Sequence, residues 1–350
     1  MIRAKVVGAG GYGGIGIIEL LTQHPEVEIG AMTGLESVGN AISDLYPHLK
    51  GFCDMQIMSD DQVEGDFDVV FMSTPDGVGM KLAAAELERG AKVIDYSGDF
   101  RFNTAEAYAA YATRIGRNPE HASPELLEKS VYGLVELHRD EITEQTEIVG
   151  NPGCFAVSCI LGLSPAVRHE LVEEGSVICD CKTGVSGAGK TPRATFHYPE
   201  RYDQMNAYKL AGHQHVCEIE RELGLQAGRD VKVTFTAQVV PQCRGIMSTL
   251  YGTLSEDMTE AEVLGIYKDF YADDAFVRVL ESVSNVGTMH VRGTNYCNLV
   301  VSVDERTRRL RVVSYIDNLM KGQAGSALQI MNLLFGFEET MGLDRPGIYP

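Results

Sequence analysis

The chain has 350 residues, enough for about two domains at roughly 150 residues each, and its 44% apolar and 23% charged content is that of an ordinary globular protein. Against 30 Lys and Arg stand 49 Asp and Glu, a formal net charge of −19 that repels nucleic acid and anionic membrane surfaces at long range. An anionic small molecule would have to be met by local positive groups.

No apolar run is long enough to span a bilayer, and Met1 to Lys5 reads into a strand rather than a signal peptide. A cytoplasmic location is expected. The eight cysteines (53, 154, 159, 179, 181, 217, 243 and 297) are scattered, so reduced thiols are expected and a special one is catalytic rather than structural.

In chain order, Ile2 to Val7 reads as a strand, the glycines from Gly8 to Gly14 as a turn, and the apolar-periodic stretch to Leu21 as a helix. Val27 to Met32 completes a βαβ unit. Val69 to Ser73 is the continuous apolar run of a strand buried on both faces, Met80 to Arg89 a helix stopped by Gly90, and Lys92 to Asp95 a further strand. This alternation predicts a Rossmann-type, doubly wound α/β domain over residues 1–151. Ser176 to Thr183, Val231 to Val240, Ile246 to Leu254, Asn298 to Val303 and Arg309 to Ile316 read as strands with fewer helices. They predict an α+β catalytic and oligomerisation domain over 152–316 with a mostly antiparallel sheet. Residues 317–350 carry a last helix, about Ala324 to Leu334, expected to return to the first domain.

The glycine turn follows a strand and opens a helix, the context a dinucleotide needs: a tight turn, close backbone approach to a pyrophosphate, and a helix N-terminus facing the anion. Gly8, Gly10 and Gly13 satisfy the pattern, with Gly11 and Gly14 offering a second register; Tyr12, Ser73 and Pro75 are expected beside the cofactor. No carboxylate ends the second strand, where Met32-Thr33-Gly34-Leu35 stands. This favours NADP over NAD, with Thr33 and Ser37 as hydroxyl donors.

Asn151-Pro152-Gly153-Cys154 lies between a strand and an apolar helix, placing the Cys154 thiol at a helix N-terminus, where the dipole favours thiolate. Gly212 to Glu218 is the densest set of proton-transfer groups, with His213 and His215 on one side if the segment is extended and Glu218 placed to orient an imidazole. A metal site using both histidines and Cys217 is the competing reading; no second ligand pair accompanies it, and none is assigned. Cys159, Cys179 and Cys181 read as core. The segment Gly184 to Lys190 offers backbone N–H groups, the Ser186 hydroxyl and the Lys190 ammonium to an anion, and Arg101 and Arg244 are further anion-binding candidates.

Together these features resemble the N-acetyl-gamma-glutamyl-phosphate reductases, within the wider aspartate-semialdehyde dehydrogenase group. The marks are Asp95 to Arg101, Tyr132-Gly133-Leu134, Asn151 to Cys154, Ser186 to Gly189, Gly212 to His215 with Glu218-Ile219, and Arg244-Gly245-Ile246. Gly293-Thr294-Asn295, Asp317 to Gly322, Ala324-Gly325 and Met331 to Leu333 complete them. The resemblance implies an NADP-dependent reductase of arginine biosynthesis, with Cys154 forming an acyl thioester. His213 is then the acid/base, supported by His215 and Glu218, although the sequence leaves open which histidine does which. Gly187 and Asn318 would lie near the nicotinamide, and Arg101, Asn151, Ser186, Gly189, Lys190 and Arg244 near substrate. A dimer or tetramer is implied. Departures are also visible: Gly10 and Gly13 stand where the family usually has Ser or Thr, Gly34 to Glu36 where Arg and Ser are frequent, and Val135 and Cys217 where Pro is usual. Three alternatives remain open: an aminoadipyl-phosphate reductase of lysine synthesis, an aspartate-semialdehyde dehydrogenase proper, and a non-catalytic cofactor-binding regulator.

Overall fold

In the computed structural model, which describes residues 1–349, strand β1 (Ile2–Val7) is followed by α1 (Tyr12–Leu21), β2 (Val27–Thr33) and a one-turn helix α2 (Ile42–Leu45). Then come β3 (Val69–Met72), α3 (Gly79–Glu88), β4 (Lys92–Asp95), α4 (Ala105–Arg114), β5 (Ser130–Tyr132), α5 (Val135–His138) and β6 (Ile148–Gly150). All six strands are parallel, in the order β2-β1-β3-β4-β6-β5. Every residue of β3 is buried, as a strand covered on both faces requires. The order departs in opposite directions from β1, which opens a crevice at the carboxyl ends of β1 and β3, where α/β sheets bind ligands.

The second unit begins with α6 (Cys154–Arg168) and continues through β7 (Ile178–Thr183), α7 (Tyr198–Arg201), β8 (Asn206–Tyr208), α8 (His215–Ala227), β9 (Thr234–Val239) and β10 (Ile246–Thr253). It then adds α9 (Glu260–Phe270), β11 (Val277–Glu281), β12 (Cys297–Asp304) and β13 (Arg309–Ile316). The sheet order is β11-β12-β13-β10-β7-β9-β8, antiparallel except for β11–β12 and β7–β9. α6 is buried from Phe155 to Val167, so it is apolar all round rather than on one stripe. Pro165 lies within it and removes the N–H that Leu161 O would accept. The Tyr271 hydroxyl donates to that carbonyl, and Tyr267 donates to Gly162 O at 2.9 Å. The helix therefore runs through its proline with its carbonyls satisfied.

The compact units are Met1–Pro152 with Gln323–Arg345, and Gly153–Gly322 with the chain from Pro346. The return to the first unit therefore starts at Gln323, six residues beyond the division expected at 317. It passes through a π-helical turn, Met320–Ala324, into α10 (Gly325–Leu334). α10 packs on α1, and the return is tied down by His24 Nε2 to Asn332 Oδ1 (3.1 Å), Arg139 Nε to Glu339 Oε2 (3.0 Å) and Gln329 Nε2 to Glu136 Oε1 (3.1 Å). Among the described residues no helix is long and apolar enough to cross a membrane.

Candidate active site

The first unit fits a dinucleotide at its glycine turn. Gly8 has φ +79, and a β-carbon there would stand 2.2 Å from Ser73 O; one at Gly14 would stand 2.4 Å from Gly8 O. Gly8 therefore makes the turn and Gly14 permits the close packing of helix on strand. Of the two registers the sequence offers, only the one through Gly8, Gly11 and Gly14 has both its first and last glycine pressed against backbone. Gly10 meets only Leu45, at 3.8 Å, and Tyr46 donates to its carbonyl at 2.9 Å. Gly11 caps α1 and Tyr12 is its first residue, so free N–H groups face the crevice. Gly13 differs: a β-carbon there would meet Ser73 Oγ at 2.4 Å and Gln323 Nε2 at 2.8 Å, both tips of side chains. Pro75 is exposed just beyond.

At the end of β2, the Thr33 carbonyl accepts from Gly8 N (2.9 Å) and Ala9 N (3.0 Å), while its hydroxyl is buried without a partner. Thr33, expected as a hydroxyl donor to the cofactor, is thus buried together with Ala31 and Met32, where β2 is covered on both faces. Leu35 is fully exposed, and Ser37 sits half-buried in a turn with φ 63.

In the second unit, Gly153 caps α6 and Cys154 is its first helical residue, where N–H groups left unpaired by the helix favour a thiolate and can hold an oxyanion. Glu218, fully buried in the first turn of α8, accepts Gly153 N–H at Oε2 (2.9 Å). A β-carbon on Gly153 would stand 2.4 Å from His215 Nε2 and 2.9 Å from Glu218 Oε1. Gly322 lies equally close to the thiol residue, its would-be β-carbon 2.7 Å from Cys154 Cβ. The histidine segment is not extended. His215 is the first residue of α8, and its N–H donates to His213 Nδ1 (3.2 Å), which assigns the proton of neutral His213 to Nε2. The two rings lie 4.8 Å apart, and both pack edge-on against Phe155. A helix start, not strand alternation, brings them together. Among the described residues no group of three or more His, Cys, Asp or Glu is placed to hold a metal ion.

The loops expected to bind anions are braced. Asn318, buried, accepts Gly245 N–H at Oδ1 (2.7 Å) and donates from Nδ2 to Ser186 Oγ (3.0 Å). Arg244 pairs with the fully buried Asp317, Nη2 to Oδ2 at 3.0 Å, and Asp317 also accepts Gly293 N–H (2.7 Å). Gly187, Gly189 and Lys190 are exposed, with Gly189 at φ +81. In the first unit Arg101 is buried rather than a surface arginine: Nε donates to Asn151 O (2.8 Å) and Nη2 to Tyr96 O (2.6 Å). Beside it, burial and then the Asp99 charge push the Asp95 carboxyl up to about 8. Ser97 N–H donates to Asp95 Oδ1 at 2.8 Å, while Oδ2 is buried without a partner. Asn151 carries a buried Oδ1 without a partner as well, and its Nδ2 donates to Gln323 O (3.1 Å).

Sequence reasoning missed Tyr208. Its ring is 5.6 Å from His213, and its phenol is pushed far up, first by burial and then by the neighbouring Cys154. It lies on a three-residue edge strand in a polar stretch, where only its proximity in sequence to His213 could have marked it. Asp317 was also passed over beside Asn318, although a fully buried carboxylate directly after a strand implies a cationic partner.

The family model described as "Semialdehyde dehydrogenase, NAD binding domain" matches residues 3–145, and "Semialdehyde dehydrogenase, dimerisation domain" matches 154–318. A protein of Bacillus mycoides named N-acetyl-gamma-glutamyl-phosphate reductase is 43% identical over the whole of both chains. One of the same name from Geotalea daltonii is 39% identical, again over the whole of both. Among solved structures, aspartate semialdehyde dehydrogenase II of Vibrio cholerae, complexed with ASA, shares the fold with a TM-score of 0.72 at 15% identity, covering 96% of this chain and 98% of that one.

Proposed function

We propose that this chain, which belongs to the N-acetyl-gamma-glutamyl-phosphate reductase family of semialdehyde dehydrogenases, reduces N-acetyl-L-glutamyl 5-phosphate to N-acetyl-L-glutamate 5-semialdehyde in arginine biosynthesis. The observation that carries the chemistry is the start of α6: a thiol on the first helical residue, preceded by a glycine whose N–H is held by a buried carboxylate and whose α-carbon lies against an imidazole. Cys154 gives up its proton to the imidazole and attacks the acyl carbon, forming a C–S bond as the C–O bond to phosphate breaks. The first N–H groups of α6 hold the oxyanion of the tetrahedral adduct. The acid/base role falls to His215 rather than His213, because His215 Nε2 is the ring atom nearest Gly153 and Glu218 stands on the same glycine. His213, with Nδ1 occupied by the His215 N–H, packs between Tyr208 and Phe155 and holds the pair in place.

The glycine turn, with Ser73 and Tyr12, holds the nicotinamide dinucleotide of this family. When bound, that cofactor supplies the hydride that turns the thioester into the semialdehyde. NADP is the preferred form, since the tip of β2 lacks the carboxylate that grips the ribose hydroxyls of NAD and carries Ser37 instead. Arg244 and Lys190, on the braced loops, meet the phosphate or carboxylate of the substrate, while Arg101 shapes the end of β6 through Asn151 and Tyr96. The protein works in the cytoplasm as a homo-oligomer, a dimer or tetramer built through residues 154–318.

Steady-state oxidation of N-acetyl-glutamate semialdehyde, with NADP or NAD and with or without phosphate, tests this reading. Phosphate-dependent, NADP-preferring turnover is expected, with poor turnover of the one-carbon-longer semialdehyde. Phosphate-independent oxidation, or preference for the longer chain, would overturn it.

A further inference from the structure

We propose that Gln323 is a cofactor-binding residue whose side-chain amide donates to the pyrophosphate of the bound dinucleotide. The inference rests on the dinucleotide reading of the glycine turn and extends it to a residue outside the turn.

The turn itself is bare. Positions 8, 10, 11, 13 and 14 are glycines, the first turn of α1 holds no acidic residue, and no side chain caps it among the described residues. Apart from Tyr12, only backbone N–H groups are therefore offered by this segment. The side-chain space of residue 13 is nevertheless filled, by Ser73 Oγ from the end of β3 and by Nε2 and Cδ of Gln323, the last at 3.2 Å from where a β-carbon would stand. Two hydrogen-bonding tips from distant parts of the first unit thus converge on the second residue of the helix that faces the crevice between β1 and β3.

The base of Gln323 is fixed and its tip is not. Its carbonyl accepts from the buried Asn151 (3.1 Å), and buried Ala324 and α10 follow it. The amide is half-buried and forms no hydrogen bond among the described residues. An N–H donor at the positive pole of a helix is electrostatically mismatched until an anion comes between them. A phosphate oxygen resolves the mismatch and a cation would worsen it. The amide brings this donor without adding a charge, and it stands where a hydroxyl on residue 13 would otherwise stand.

The test compares wild type with Gln323→Met, which keeps length and loses the donors, and with Gln323→Ala and Gln323→Glu. Calorimetric titration with NADPH and with NADH, which share the pyrophosphate, should show affinity falling roughly tenfold in the Met and Ala variants, the effect of one charge-assisted hydrogen bond. Gln323→Glu should fall further, with a loss that grows at low salt. Reduced nicotinamide mononucleotide and adenosine 2′,5′-bisphosphate, which lack the pyrophosphate, should bind all four proteins alike. Unchanged or tighter NADPH binding by Gln323→Met overturns the inference, as does an equal loss for the two fragments, which would mean a general disturbance of the turn. If the wild type binds neither dinucleotide, the reading of the turn fails and the inference with it; if it binds both and the variants match it, only the inference fails.

Discussion

Gly153→Ala isolates the relation between thiol and imidazole. The backbone there, φ −74 and ψ 144, is ordinary for any L-residue, so the methyl group acts by its volume alone. It would stand 2.4 and 2.6 Å from His215 Nε2 and Cδ2, and 2.9 Å from Glu218 Oε1. Carbon contacts settle near about 3.5 Å, so the imidazole must retreat by about 1 Å. A displacement of that size costs on the order of 100-fold in rate, or about 2.7 kcal/mol of activation free energy. Loss of cap quality should remove only about 1 kcal/mol of stability at most. The assay is kcat for phosphate-dependent semialdehyde oxidation, with the melting temperature and dinucleotide affinity as controls. A folded, cofactor-binding Gly153→Ala enzyme with near-normal kcat would refute the assignment of His215 as acid/base.

Asp95→Asn tests the raised carboxyl: the folded protein keeps a proton on Asp95 that the unfolded chain has released, so wild-type stability falls as pH rises between the ordinary value of 3.8 and about 8. The stability gap to Asp95→Asn should therefore move in the variant's favour by up to about 1.4 kcal/mol per pH unit; urea unfolding at several pH values checks this, and a pH-independent gap contradicts it. Tyr271→Phe leaves Leu161 O, already deprived of an N–H by Pro165, without its hydroxyl donor, and should cost about 1–3 kcal/mol in urea unfolding. Asp317→Asn removes the charge partner of Arg244 and should raise KM for the anionic substrate about tenfold or more with a smaller change in kcat. A normal KM would show that Arg244 does not need the pair.

The alternating half of the fold was legible because parallel strands buried on both faces are short, continuous apolar runs, as in Val69 to Met72. What the sequence hid was set by tertiary contact. Thr33 reads as a hydroxyl donor to the cofactor, but the end of β2 is buried on both faces and takes the hydroxyl inside; Arg101 reads as an anion-binding candidate, but its guanidinium bridges two carbonyls. The histidine pair was found from composition, but strand alternation was the wrong reason: a helix start at His215 brings the rings together. Tyr208, on a three-residue edge strand, gives no periodic signal at all. The glycine register could be chosen only from what each α-carbon faces, since Gly8 and Gly14 touch backbone and Gly13 touches side-chain tips.

Asn318 joins the Ser186 loop to the Gly245 turn with a single side chain, and Asp317 joins Arg244 to Gly293 beside it. These loops are thus ordered during folding, before any ligand arrives. The conformational entropy that a flexible loop would lose on binding, about 1–2 kcal/mol per residue fixed, has already been lost. Substrate meets a pre-organised surface, so weakening these two side chains should slow recognition by making each encounter wait for the loops to form.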